Sequence, residues 1–477
     1  MTDERSPIIL WFRRDLRLSD HPALSSAIQS GRPIIPVFIL DELAEGLGAA
    51  PKWRLSLGLD AFSEALSQTG SSLILRRGQA LETLRNLVAE TGAGSVFWSR
   101  AYDPEAIKRD KHIKAQLTAA GVEAKSFSGH LLFEPWTVET KSGQPFRVFT
   151  PMWRAVQNRA VPTPEPAPKQ LIPPAVWPAS EDLTSWKLGR EMNRGAEVVR
   201  PFVQPGEKAA HDHLFSFLGR VANYPGRRDQ MAENATSNLS EYLSLGEIGP
   251  RTIWHVVQNA GQTGASGTEA FLRQLVWREF AYHLMFHFPH LLTRNWREEW
   301  DGFPWNTDPE LPEVVAWKQA RTGIPVVDAG LREMYVTGRM HNRARMVVAS
   351  YLTKHLMTHW KIGMDWFADC LIDWDPAANA MGWQWVAGSG PDAAPFFRIF
   401  NPQTQQEKFD PNSSYLRQWI AEGQSDPSAT SLAYFNAVPR SWGLDASDIY
   451  PQPIVGLQAG RNRALTAYET RKSPVRN

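Results

Sequence analysis

A chain of 477 residues is longer than one hydrophobic core ordinarily organises, so two or more domains are expected. Its 43% hydrophobic and 21% charged content is that of a globular protein, and no apolar run reaches the roughly 18 residues of a membrane span. The single cysteine, Cys370, excludes an internal disulfide or a multi-cysteine metal centre, and a net charge of +1 argues against a protein that coats nucleic acid through a broad basic field.

The first residues, MTDERSPIILWF, lack the small-residue cleavage pattern of a signal peptide, so a cytoplasmic protein is expected. Short β-branched or apolar runs at 8–12, 34–39, 73–75, 96–99 and 122–127 read as strands. Between them 53–68, 80–91 and 104–120 read as helices, the last opening on Asp103 as N-cap and Pro104 at the first position. This alternation predicts an α/β N-terminal domain with a doubly wound parallel sheet. No GxGxxG follows the first strand, so an ordinary dinucleotide site is not expected there. Prolines crowd 161–205, in VPTPEPAPKQLIPP and then Trp177-Pro178, and read as an extended connection. Beyond it helical periodicity dominates, at 206–221, 249–258, 269–286, 311–320, 324–337, 342–360 and 365–371. The expected division is an α/β domain over 1–130, a proline-rich linker over 131–204 and an all-α domain over 205–477.

Common hydrolytic signatures are absent: there is no GxSxG, no GxxxxGK[ST] and no HExxH. His283/His287 and His355/His359 stand four apart, but with no third ligand beside them no metal site is expected. Other segments carry more. YPGRRD (224–229) places Arg227 and Arg228 on a turn, and TSNLSEYL (236–243) sets Thr236, Ser237 and Ser240 ahead of an apolar run, where hydroxyls can cap a helix or leave its N–H groups to a phosphate. FLRQLVWREFAYH (271–283), MHNRARM (340–346), DWDPAA (373–378) and GWQWVAGSGPDAAPFFRIFNP (382–402) follow. A helix turns about 100° per residue, so Trp383 and Trp385 must face nearly opposite sides, as must Arg343 and Arg345. The inward arginine requires an anionic partner, and Asp373 is a candidate. Each segment alone also fits the packing of a helical core.

Together, and in this order, these blocks resemble the cryptochrome/photolyase family, as do WFRRDLRLSDHPAL (11–24), LVWREF (275–280), GIPVVDAGLREM (323–334) and EKFDP (407–411). The resemblance spans nearly the whole chain. It implies a C-terminal FAD-binding domain, with Tyr224, Thr236, Ser237, Asn238, Leu239, Ser240, Arg278, Asn342, Arg345, Asp373 and Asp375 holding the cofactor. It implies that Asn379 stands nearest the flavin N5 and that Trp383, Trp360 and a surface Trp305 form an electron chain.

For UV-damaged DNA the resemblance implies lesion stacking by Trp277 and Trp385, contacts from Gln274 and Met346, and phosphate contacts from Arg228, Arg343 and Arg398. From Pro205 onward 20 Arg and 6 Lys stand against 28 acids, so affinity must come from focused arginines and stacked bases. Met346 points to cyclobutane pyrimidine dimers, whereas Gln274 is the residue of (6-4) enzymes and animal cryptochromes. The family also implies an antenna near Lys52–Arg54 or Asp103–Glu105, expected to be 5,10-methenyltetrahydrofolate. A blue-light photoreceptor, (6-4) repair and a light-independent nucleic-acid module are the alternatives. The chain ends soon after YPQPIVGLQAGRNRALTAYET, with no long tail of the signalling kind, and a monomer is expected.

Overall fold

The computed structural model describes residues 6–392 and 397–472, which form two compact units. Residues 393–396, inside the GWQWVAGSGPDAAPFFRIFNP segment, lie outside the described residues. The first unit takes the chain to Arg190, with Gln204–Ala222 and Ser237–His287; the second is Glu191–Val203, Asn223–Thr236 and Phe288 onward. The sequence division at 130 and 204 is a different grouping, since 204–222 and 237–287 cluster with the N-terminal segment here.

In the first unit five strands, β1 Ile8–Phe12, β2 Ile34–Leu40, β3 Ile74–Arg77, β4 Ser95–Ser99 and β5 Glu123–Phe127, run parallel in the order β3-β2-β1-β4-β5. All residues of β1, β2 and β4 are buried, as helices on both faces require. Because strand side chains alternate, Ile8, Leu10 and Phe12 pack with Leu59 and Phe62 on one face, while Ile9 and Trp11 pack with Leu84 and Ile113 on the other. The doubly wound α/β domain is as the sequence predicts.

The segments that join this unit from later in the chain are tied in by buried charge. Arg54 and Glu247 are both fully buried and form a bidentate pair, Nη1 to Oε1 at 3.0 Å, and Glu247 also accepts the Gly206 N–H at 2.9 Å. Arg17 donates to the carbonyls of Gly246 and Gly129, at 2.9 and 2.8 Å. Gly246 sits at φ +68°, where a side chain would meet the Arg14 backbone.

The second unit is helical, and one element departs from expectation. Residues 342–360 are not one helix: Asn342–Ser350 passes into a π-helical turn, Tyr351–His355, and a separate helix begins at Trp360. The Leu356 N–H reaches back five residues to the Tyr351 carbonyl, and Met357 follows at φ +54°. That break frees the backbone at 357–359 to pair with Asn306. Within 131–204 the structure adds a helix, Phe149–Val156, while 160–182 carry neither helix nor strand. Among the described residues no helix is long and apolar enough to cross a membrane.

Removing one partner of a buried pair strands the other charge. Arg54→Met is expected to cost about 3–5 kcal/mol of stability, read as a lowered urea midpoint.

Candidate active site

The helix Pro376–Ala387 carries most of the chemistry read from the sequence. Asp375 caps it by accepting the Ala378 N–H at 2.9 Å, Pro376 supplies the first helical position, and Gly388 at φ +93° ends it. Gln384 anchors it: the fully buried carboxamide accepts the Trp296 N–H at 2.7 Å and donates to the carbonyls of Leu291 and Arg294, at 2.7 and 3.0 Å. With that face fixed, the others are fixed too. Trp383 is buried, edge-on to Phe367 at 4.9 Å and to Trp317 at 6.3 Å, whereas Trp385 is half-buried and lines a small cavity. The expected division of the two tryptophans is observed.

Asn379 donates from Nδ2 to the Asp375 carbonyl at 3.0 Å, which fixes its amide. One turn on, a Cβ at Gly382 would meet nothing within 4 Å, so the Asn379–Gly382 side of the helix has open space against it. Arg345 meets both oxygens of Asp373 at 2.8 and 3.0 Å, and its Nε donates to the Met340 carbonyl. A fixed amide, an ion pair and an open helix side fit a flat, polar-edged ring such as that of FAD.

Three tryptophans expected as an electron chain lie in one aromatic run. Trp383 packs so closely on Gly363 that any side chain there would collide with its ring, and Trp360 is one turn earlier on the same helix. His359 is 5.3 Å from Trp360 and 5.2 Å from Trp305. Trp360 donates to the Asn295 side chain at 2.9 Å. Trp305 is not a surface residue: it is 8% exposed, covered by Trp300 stacked at 5.5 Å.

Several expected ligands are already engaged. Arg343 pairs with Asp229 at 2.9 Å and lies over the Phe409 ring, which leaves no unpaired guanidinium for phosphate. Tyr224 is buried under Arg228, 5.7 Å above its ring. Asn342 is exposed, near the half-buried Met346, and Arg398 is exposed. Ser240 begins a short helix whose N-cap is Leu239, a buried residue with no side-chain acceptor, and Asn238 sits at φ +53°.

In the first unit, the helix Thr268–His287 presents Gln274, Trp277 and Arg278 on one side, at spacings of three and four. Trp277 stacks face to face on Phe149, centroids 3.7 Å apart. The half-buried Gln274 amide has no hydrogen-bond partner among the described residues. Arg278, expected at the cofactor, donates to the His130 carbonyl and Nε2 at 2.9 and 2.8 Å and covers Tyr282. Burial, reinforced by Arg278, pushes the His130 pKa down and keeps the ring neutral, an acceptor. Of the antenna candidates, Arg54 is wholly taken by Glu247.

Residues 8–169 match the family model for DNA photolyase, and 271–470 match the FAD binding domain of DNA photolyase. The deoxyribodipyrimidine photo-lyase of Agrobacterium fabrum is 45% identical over 98% of this chain and 98% of its own length. The chain belongs to the photolyase/cryptochrome family. Cryptochrome-1 of Arabidopsis thaliana is 34% identical, with 95% of this chain aligned to 69% of that protein. The crystal structure of a bacterial class III photolyase from Agrobacterium tumefaciens superimposes with a TM-score of 0.90 at 44% identity, covering 99% of each chain. The family's FAD-binding domain thus includes Asn379, the three tryptophans and the Arg345–Asp373 pair, while Tyr224 and 236–240 precede the matched span.

Sequence reading missed Glu279, which is buried and accepts the N–H groups of Leu132 and Phe133 at 2.8 and 3.2 Å. It holds that loop beside the Trp277 helix. The WREF block contained it without marking it as buried. Burial pushes its carboxyl up to about 7, against the opposing pull of Arg278. The folded chain therefore holds this proton more tightly than the unfolded one, whose carboxyl titrates near 4.5. Its contribution to stability is full below that value and fades as pH rises through 7. Glu279→Gln keeps an oxygen for both N–H groups and cannot ionise. Relative to this variant, the wild type is expected to lose up to about 3 kcal/mol between pH 4.5 and 7.5, measured from urea midpoints.

Proposed function

We propose that this protein is a light-driven DNA photolyase that splits cyclobutane pyrimidine dimers in UV-damaged DNA. It is an enzyme of the deoxyribodipyrimidine photo-lyase class, like the relative it matches along its whole length. FAD is its cofactor, in keeping with the domain matched over 271–470. Bound in its reduced form, FAD supplies the light-excited electron that opens the cyclobutane ring. The chain acts as a monomer in the cytoplasm, with 205–477 holding flavin and DNA and 1–130 holding the antenna, methenyltetrahydrofolate.

Arg345 and Asp373 position the ring, Asp375 the adenosine part, and Tyr224, Asn342, Arg278 and 236–240 the rest of the cofactor. The hydroxyls of Thr236, Ser237 and Ser240 at the start of the helix Ser240–Leu245 support the diphosphate role, since such groups donate to phosphate oxygens. Asn379 is neutral and fixed, which favours the fully reduced ring. Turning a damaged base pair out of the duplex costs a few kcal/mol, and each base stacked on an aromatic ring returns about 1–3 kcal/mol. Trp277 and Trp385 do that stacking. Phe149 holds the Trp277 ring in place beforehand, so little side-chain freedom is lost on binding. Gln274, half-buried and unpartnered among the described residues, hydrogen-bonds the pyrimidines as donor and acceptor, and Met346 contacts the lesion. Arg228, Arg343 and Arg398 face the strand; Arg343 does so by giving up Asp229.

The observation that carries the redox part of the reading is the aromatic run itself. Trp305, His359, Trp360 and Trp383 succeed one another at ring contact or across Gly363, which suits inward passage of electrons toward the flavin.

Blue-light repair of DNA carrying either cyclobutane or (6-4) lesions tests the assignment. Cyclobutane dimers are expected to be restored; no repair in light with fully reduced flavin would overturn it, and repair of (6-4) lesions alone would move the lesion class. Trp383→Phe is expected to abolish photoreduction while chemically reduced enzyme still repairs. Trp385→Ala is expected to weaken binding of dimer-containing DNA about 5- to 100-fold by fluorescence anisotropy.

A further inference from the structure

Beside Trp385 lies a cavity of about 40 Å³, room for about three waters and too small for a base. Its walls are unusual in charge. Arg297, Lys354, Arg398 and Arg471 all line it, and no carboxylate does among the described residues. Arg297, Lys354 and Arg471 have no carboxylate partner anywhere among those residues. Lys354 is fully buried, donates to the carbonyls of Val386 and Arg398 at 2.8 and 3.4 Å, and sits 4.1 Å over Phe397. Arg471, from the helix Leu457–Lys472, lies 4.2 Å over Trp300 and donates only to the Glu299 carbonyl. Two buried donors at the cavity, Trp300 Nε1 and Arg471 Nε, have no acceptor among the described residues.

Uncompensated cations around a partly enclosed space repel one another and leave their donors unmet, a costly arrangement with nothing to neutralise it. Burial already pushes Lys354 down to about 7, the response of an ammonium with no anion beside it. An oxyanion would answer both deficits at once, since its oxygens accept the free N–H groups while its charge offsets the cations.

We propose that this cavity binds a phosphate group, held by Arg297, Lys354 and Arg471 with Trp300 Nε1 as a neutral donor. The phosphate is either free or a phosphodiester of bound DNA; only the second source rests on the photolyase reading, through Trp385 and Arg398. The aromatic walls fix the guanidinium plane of Arg471, which sharpens selection for a tetrahedral oxyanion over chloride.

The holoenzyme is melted in inorganic phosphate against chloride at constant ionic strength, and its affinity for dimer-containing DNA is measured against salt. If the site takes free phosphate, the melting temperature rises in phosphate and the rise is lost in Arg297→Gln and in Arg471→Gln. If it takes only a DNA phosphodiester, the melts do not respond, but each variant makes the plot of log affinity against log salt shallower by about one. Unaltered flavin absorption and circular dichroism show that the variants fold. Line broadening of the phosphate ³¹P signal by the unsubstituted enzyme, competed by sulfate and not by chloride, reads the free-phosphate case without substitution. An unbroadened line together with unchanged salt slopes overturns the proposal. Loss of blue-light repair bears on the photolyase reading alone, because the melts, the ³¹P line and the salt slopes all read binding in the dark.

Discussion

A helix that advances about 100° per residue cannot turn two tryptophans two positions apart toward the same partner, and Pro376–Ala387 is built on that limit. The limit matters because one face is immovable. Gln384 is buried with three bonds to the 291–296 segment, and rotating the helix would break them together. Once Gln384 is seated, Trp383 has only the Gly363 side available, Trp385 only the cavity side, and Asn379 only the open side shared with Gly382. A carboxamide is well suited to this task, since it accepts and donates at once and brings no charge into the core.

Elsewhere the fold relies on charge buried with its partner. Arg54 with Glu247, Arg332 with Glu422 and Glu279 with two backbone N–H groups each cost desolvation, and each joins segments distant in sequence. What such contacts supply is position. Glu279 sits two residues after Trp277, so the loop it holds and the aromatic face it adjoins are fixed by one helix. The face-to-face contact with Phe149 completes that preorganisation, and Phe149 belongs to a helix in a stretch that reads, by composition, as linker.

Legibility followed the range of the interaction. The strand Ile8–Phe12 was readable to the residue, because five successive apolar residues bounded by turn formers admit little else. Residues 342–360 read as one helix because their apolar pattern continues unbroken through the π turn; the break lies in a backbone bond from Leu356 to Tyr351 that no side chain announces. Arg345 with Asp373 could be anticipated, since a buried guanidinium needs an anion and a nearby carboxylate was in view. Arg343 with Asp229 and Arg278 with His130 could not, because the partners lie more than a hundred residues away and nothing local selects them. The same holds for Trp305, whose cover by Trp300 depends on how the 300–305 segment folds over itself. Motif order therefore located the site, while spacing alone could not say which of its residues were free.

That last distinction bears on how a chain with slightly more acid than base in its second half can attract polyanions. Several guanidinium groups of the second unit are spent internally: Arg332 on Glu422, Arg345 on Asp373 and Arg343 on Asp229. Paired charges contribute little field beyond a few ångströms, because each is cancelled at close range. The field that remains comes from the cations left over, and three of these, Arg297, Lys354 and Arg471, converge beside a tryptophan on the active-site helix. Low-dielectric aromatic walls reduce the screening of these charges, so a small number acts with more reach there than the same number spread over the surface. A net charge near neutrality is thus compatible with strong local attraction, provided no acid shares the cavity, and among the described residues none lines it.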